Sequence, residues 1–149
     1  MDTVISSPEG KLLSRLKDEF DNGEVRLSEG SSIFREINQS FPFIGSSINW
    51  AKVPNSVDEK ADAEDYFPSA TSFIERITAR MGFNDSDTII VVGDSAMELA
   101  LSLSLGTFKG HLEDFLIMPQ HTYIVSPDVS WCACFRMEGN MSFGFRPVR

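Results

Sequence analysis

Two runs of large side chains close the sequence, Trp131-Cys132-Ala133-Cys134-Phe135-Arg136-Met137 and Met141-Ser142-Phe143-Gly144-Phe145, with Glu138-Gly139-Asn140 between them. A two-residue Gly139-Asn140 loop supplies the positive φ angles that a tight hairpin requires, so the runs are expected to pair as antiparallel strands. Side chains alternate across a strand, which puts Trp131, Ala133, Phe135 and Met137 on one face and Cys132, Cys134 and Arg136 on the other. The Trp131 face is the expected core face. Phe135 and Met137, beside Met141, Phe143 and Phe145, make one side of the hairpin strongly apolar, and an isolated hairpin is marginal in water, so that side must pack on something. His121-Thr122-Tyr123-Ile124-Val125, bounded by Pro119 and Pro127-Asp128, reads as a third strand of an antiparallel meander.

Upstream, Thr88-Ile89-Ile90-Val91-Val92 is β-branched throughout and apolar on both faces, the pattern of a strand inside a sheet. Leu99, Leu101, Leu103 and Leu105 alternate with Ala100, Ser102 and Ser104, which predicts a strand with one buried face. Phe108, Leu112, Phe115 and Leu116 return to helical spacing, with Glu113 and Asp114 turned outward, until Pro119 ends the helix.

In the first half, Ser7 and Pro8 open a predicted helix over residues 11–20, where Leu12, Leu13, Leu16 and Phe20 share a face; Asn22-Gly23 stops it. Ser31 or Ser32 can cap a second helix through Ile33, Phe34 and Ile37, closed by Phe41-Pro42-Phe43. After Pro68, the spacing of Phe73, Ile74, Ile77 and Met81 predicts a third, ended by Gly82. Residues 45–68 hold scattered hydrophobes without a firm period and read as a long surface excursion, the kind of segment that carries contacts when ordered. The expected architecture is α+β in a single domain over residues 1–149. It has an antiparallel sheet of about five strands in the C-terminal half, ordered strand, strand, helix, then three strands, with the N-terminal helices packed on it.

A chain of 149 residues can bury a core without staples, and 42% hydrophobic with 23% charged residues describes a soluble globular protein. No apolar run approaches the roughly 20 residues of a membrane span, and the start of the chain carries neither a basic leader nor an apolar export segment, so a cytoplasmic location without membrane contact is expected. The formal charge of −9 is spread over both halves, with a local acidic cluster from Asp58 to Asp65. Such a field repels phosphates, which argues against direct nucleic-acid binding, and speeds encounter with a basic partner.

A family resemblance rests on Pro119-Gln120-His121-Thr122-Tyr123, Ser130-Trp131-Cys132, Glu138-Gly139 and Phe143-Gly144. Over Thr88 to the C-terminus, the chain resembles the C-terminal part of small bacterial immunity proteins of contact-dependent growth inhibition and related polymorphic toxin systems. The resemblance implies a non-catalytic cytosolic protein that binds and neutralises a cognate toxin domain. Combined with the acidic charge, it makes a basic nuclease the expected partner. Asp58, Glu59, Asp62, Glu64 and Asp65 are the candidate contact residues, and no cofactor or metal is expected.

Two other classes compete with this reading. Gly93-Asp94-Ser95, placed after a central strand, resembles the nucleophile block of Gly-Asp-Ser-Leu hydrolases, where a serine is activated by a histidine held by an aspartate. Here 54 residues follow Ser95, and none of them forms the Asp-x-x-His pair that the family carries near its end. A general adaptor would bind partners without chemistry just as an immunity protein does. Cys132, Cys134, His111 and His121 offer one short-spaced ligand pair, too little for structural zinc, and the cysteines read as reduced thiols on a strand. His121 reads as a strand-entry residue whose ring bonds nearby backbone, and Tyr123 and Trp131 read as core side chains before interface anchors.

Overall fold

The computed structural model describes residues 7–61, 63–94, 98–118 and 120–147. Helices α1 (Pro8–Arg15) and α2 (Lys17–Asp21) precede strand β1 (Arg26–Glu29) and helix α3 (Gly30–Ser40). Strands β2 (Phe43–Ile44) and β3 (Ser47–Ile48) form a small separate hairpin, and a 3-10 turn at Trp50–Lys52 precedes β4 (Val57–Lys60). A second 3-10 turn at Ala63–Asp65 opens into α4 (Tyr66–Met81). The second half runs β5 (Thr88–Gly93), β6 (Leu99–Ser104), α5 (Leu105–Gly110), α6 (Leu112–Leu116), β7 (Thr122–Val125), β8 (Trp131–Phe135) and β9 (Asn140–Phe145).

The fold is α+β, with one antiparallel sheet in the order β1-β6-β5-β7-β8-β9-β4. It has seven strands rather than about five, because β1 and β4, both from the first half of the chain, pair with β6 and β9 and form its two edges. β5 lies inside, paired with β6 and β7, as its unbroken apolar run requires. β6 keeps the leucine alternation, yet Ala100 is buried on one face while Leu101 and Leu103 are buried on the other.

Both faces of the sheet are covered, so the expectation of a single core face for the C-terminal hairpin is corrected. On the first face Ile89, Val91, Ile124, Phe135 and Phe143 pack with Leu12, Phe73, Phe108 and Phe115 from α1, α4, α5 and α6. On the second, Val92, Tyr123, Val125, Cys132 and Cys134 pack with Ile37 of α3, Ile48, Trp50 and Val53. Residues 45–68 are therefore not a surface excursion: they close the second face and supply edge strand β4. A Cβ on Gly144 would lie 2.7 Å from Val53 and 3.2 Å from Trp50, so the strand comes this close only because that position has no side chain.

The hairpin turn differs from the expected two-residue loop. The Gly139 amide donates to the Arg136 carbonyl (3.0 Å) and the Arg136 amide to that of Asn140 (2.9 Å), with Gly139 at φ +100°: a three-residue loop with a glycine bulge. That shift takes Met137 out of the strand, and it is 58% exposed; Phe145, at the open end, is 47% exposed.

The helix signals hold, but their boundaries move. Ser7 Oγ accepts from the Gly10 amide (3.0 Å) as expected, while the predicted helix over residues 11–20 breaks at Leu16 into α1 and α2. α3 starts at Gly30 rather than after a serine cap, where a Cβ would meet the Glu98 carbonyl oxygen at 2.6 Å. α4 begins before Pro68 and takes the proline into its first turn, then ends at Gly82 with φ +71°. The helix read toward Pro119 divides at His111 into α5 and α6; Pro119 itself lies outside the described residues. Among the described residues no helix is long and apolar enough to cross a membrane.

Candidate functional site

The acidic cluster falls at the β4 end of the sheet. Asp58 and Glu59 sit on β4, and Glu64 and Asp65 are exposed in the turn that leads into α4; Asp62 lies outside the described residues. Two of the four described acids are engaged. Glu59 projects to the first face, where Arg76 of α4 grips it with two hydrogen bonds of 2.5 and 2.7 Å. That guanidinium holds the Glu59 carboxyl below the ordinary glutamate range. Asp58 projects to the second face and accepts from the Ser142 hydroxyl (2.7 Å), the side chain opposite it on β9.

The backbone of β4 is half paired. Val57, Glu59 and Ala61 stand opposite Phe143, Met141 and Gly139, and the Ala61 amide donates to the Gly139 carbonyl (3.0 Å). Antiparallel ladders alternate bonded and non-bonded positions, so the amide and carbonyl groups of Asp58 and Lys60 point away from β9, at the free edge. Both side chains are exposed, and Lys60 has no ion-pair partner among the described residues. A groove of about 330 Å³ runs beside this edge between β4 and α4, lined by Glu59, Lys60, Asp65, Ser69, Ser72 and Arg76 among others.

A second polar cluster, which the sequence does not announce, forms on the second face where β5 and β8 end and β7 begins. Asp94 Oδ1 accepts from the His121 backbone amide (2.9 Å), and its Oδ2 lies 3.1 Å from the ring Nδ1. Glu138 Oε2 lies 3.3 Å from Nε2. The ring thus stands between two carboxylates rather than bonding backbone, which corrects its expected role. Burial pushes the Glu138 carboxyl up, but hydrogen bonding to His121 and the charges of His121 and Arg136 prevail, and it titrates below the usual value. His111 is held alike, Nδ1 3.1 Å from Asp114 and Nε2 3.5 Å from Glu19, while Arg15 lies 3.5 Å from Asp114; this network ties α1 and α2 to α6. Sequence reasoning missed both clusters for different reasons. Asp94 and Glu138 are 27 and 17 positions from His121 and meet it only through strand pairing, whereas Asp114 follows His111 at helical spacing and was legible.

The hydrolase block gains part of what it lacked. Asp94 touches His121, but a serine relay needs one ring nitrogen for the acid and the other for the hydroxyl, and here Nε2 faces Glu138. Ser95 lies outside the described residues. Cys132 and Cys134 are free and buried, and burial pushes the Cys134 thiol up to about 12 and Cys132 well above its ordinary value, so both stay protonated at neutral pH. Among the described residues no group of three His, Cys, Asp or Glu side chains is placed to hold a metal.

The structure separates the two aromatic candidates. Tyr123 is fully buried, edge-on to Phe34 at 5.2 Å, and burial raises its phenol far above the ordinary value. Trp131 is half-buried, stacked on Phe83 at 5.0 Å and leaning on Phe143 at 5.6 Å, in a ladder of rings that reaches the surface at Phe145. No protein-family model matches the chain, and comparison with curated proteins finds no significant match.

Proposed function

We propose that this protein is an immunity protein that neutralises a bacterial toxin domain by stoichiometric binding in the cytoplasm, without chemistry of its own. The partner is a toxin with a basic surface, a nuclease by preference, held at the β4 end of the sheet. The observation that carries the reading is the gathering of Asp58, Glu64 and Asp65, all exposed, around an edge strand with outward-facing backbone groups. An acidic rim accelerates encounter with a basic partner, and a free strand edge offers directional hydrogen bonds once it arrives. The half-buried Trp131 and exposed Phe145, on the neighbouring strands β8 and β9, add aromatic area of the kind that dominates interface energies. The sequence resemblance points to the same class.

The test is to look for an exported toxin encoded next to this gene and to co-express its toxin domain with this chain, followed by binding kinetics on the purified pair. Protection of the cells is expected, and reversing Asp58, Glu59, Glu64 and Asp65 together to lysine is expected to slow association by about tenfold or more at low salt. If the charge reversal leaves both rate and affinity unchanged, the β4 assignment is wrong. Failure of the wild-type chain to protect would remove the immunity reading itself.

A serine hydrolase is the second reading, favoured by the 3.1 Å approach of Asp94 to His121. It requires turnover of an ester substrate that Ser95→Ala abolishes.

A further inference from the structure

We infer that two copies of this chain pair through β4, antiparallel across a two-fold axis at Glu59, so that one sheet runs through both. The argument starts from the parity of the edge. Within β4, Asp58 and Lys60 turn their amide and carbonyl groups outward, so an antiparallel strand added to β4 bonds at those two positions. When the added strand is a second β4, one symmetric register sets Asp58 opposite Lys60 of the other copy and Lys60 opposite Asp58. Each such pair exchanges two backbone hydrogen bonds, and its side chains lie on the same face with Cβ atoms about 5 Å apart, the distance at which opposite charges attract.

The side chains suit this register. Among the described residues Lys60 has no ion-pair partner, and Asp58 uses Oδ1 for Ser142, leaving its other oxygen for an ammonium group. The like-charged contact at the axis, Glu59 against Glu59, is neutralised in advance because each carboxylate is held by its own Arg76. On the first face the groove beside β4 is bordered by the small side chains Ser69 and Ser72 of α4, which lets the two α4 helices approach as the edges join. The other edge offers no such match. The Gly30 amide bonds the Glu98 carbonyl, so Leu27 and Glu29 turn outward on β1, and the symmetric registers there oppose Leu27 with Leu27, Leu27 with Glu29, or Glu29 with Glu29. Charge complementarity therefore selects a second copy at β4 alone.

This inference does not rest on the toxin reading. If both hold, self-pairing and toxin compete for one edge, and the dimer is the form in which the free protein covers it.

The experiment is sedimentation velocity of the full chain up to about 100 μM, a range that reaches the weak class of interfaces below about 1,200 Å². A species of twice the 16.6 kDa chain mass is expected. Lys60→Asp sets carboxylate against carboxylate and is expected to weaken the dimer roughly tenfold or more, and the double exchange Asp58→Lys with Lys60→Asp to recover it to within about threefold. Amide exchange gives an independent reading that needs no variant: Asp58 and Lys60 should slow with rising concentration while Leu27 and Glu29 do not. A wild-type monomer throughout the range, a Lys60→Asp dimer as tight as wild type, or no recovery in the double exchange would overturn the proposal. Lys60→Asp also separates it from the toxin reading, because it makes the edge more acidic and leaves association with a basic toxin at least as fast.

Discussion

The two edges of the sheet are built from equally short strands and differ in what braces them. β4 is fixed from both faces: Arg76 grips Glu59 from one side, Ser142 bonds Asp58 on the other, and Val57 is half-buried opposite Phe143. β1 is exposed at all four residues and leaves Leu27 46% accessible; its fixed point is its end, where the chain turns into α3 at Gly30 against the Glu98 carbonyl. A strand edge that is rigid and bears matched charges can serve as a specific docking surface, because little ordering remains to oppose binding. An exposed strand held mainly by its ladder serves instead to finish the sheet, with Arg26 and Glu29 as charges that discourage stray pairing.

Four substitutions press on this difference. The largest effect is expected at Phe143, the buried ring beneath β4: Phe143→Ala should cost about 3–5 kcal/mol in denaturant unfolding, whereas Leu27→Ala on β1 should cost about 0.5 kcal/mol or less. Equal costs would mean that β4 is no better anchored than β1. Next, Gly30→Ala forces a methyl against backbone at 2.6 Å and should destabilise by about 1–3 kcal/mol, measured by thermal unfolding; a neutral result would show that the β1 end is free to shift. The smallest effect belongs to Glu59. Its carboxyl is depressed in the folded state, so its contribution to stability is present above its ordinary value of 4.5 and is lost as pH falls through the lowered folded value. Arg76→Gln should therefore be less stable than wild type at neutral pH and converge with it in acid. A gap that stays constant to low pH would assign the loss to packing of the arginine stem instead of the ion pair.

The same contrast explains what the sequence made legible. The β-branched run of β5 and the leucine alternation of β6 announce themselves because interior strands must be apolar on at least one face. Arg26-Leu27-Ser28-Glu29 and Val57-Asp58-Glu59-Lys60 carry no period-two apolar signal, since an edge strand tolerates charges on both faces, and so the sheet reads two strands short. Gly139 was legible as a turn residue, but the bulge that adds a residue to the loop depends on the Ala61 carbonyl packed 2.4 Å from where its Cβ would be, a contact from another part of the chain. At the candidate site the acidic residues were legible as a cluster. Their engagement with Arg76 and Ser142, 17 and 84 positions away, was not, and neither was the enclosure of His121.

The account turns on β4 being the surface that partners meet. Hydrogen exchange of the full chain, free at micromolar dilution and in complex with a toxin domain that it is found to neutralise, tests this most directly. Slowed exchange at the outward amides of Asp58 and Lys60 and through residues 63–66, with Leu27 and Glu29 unchanged, is the expected result. Protection that centres on β1 or on the His121 corner, with β4 exchanging as in the free chain, would contradict it.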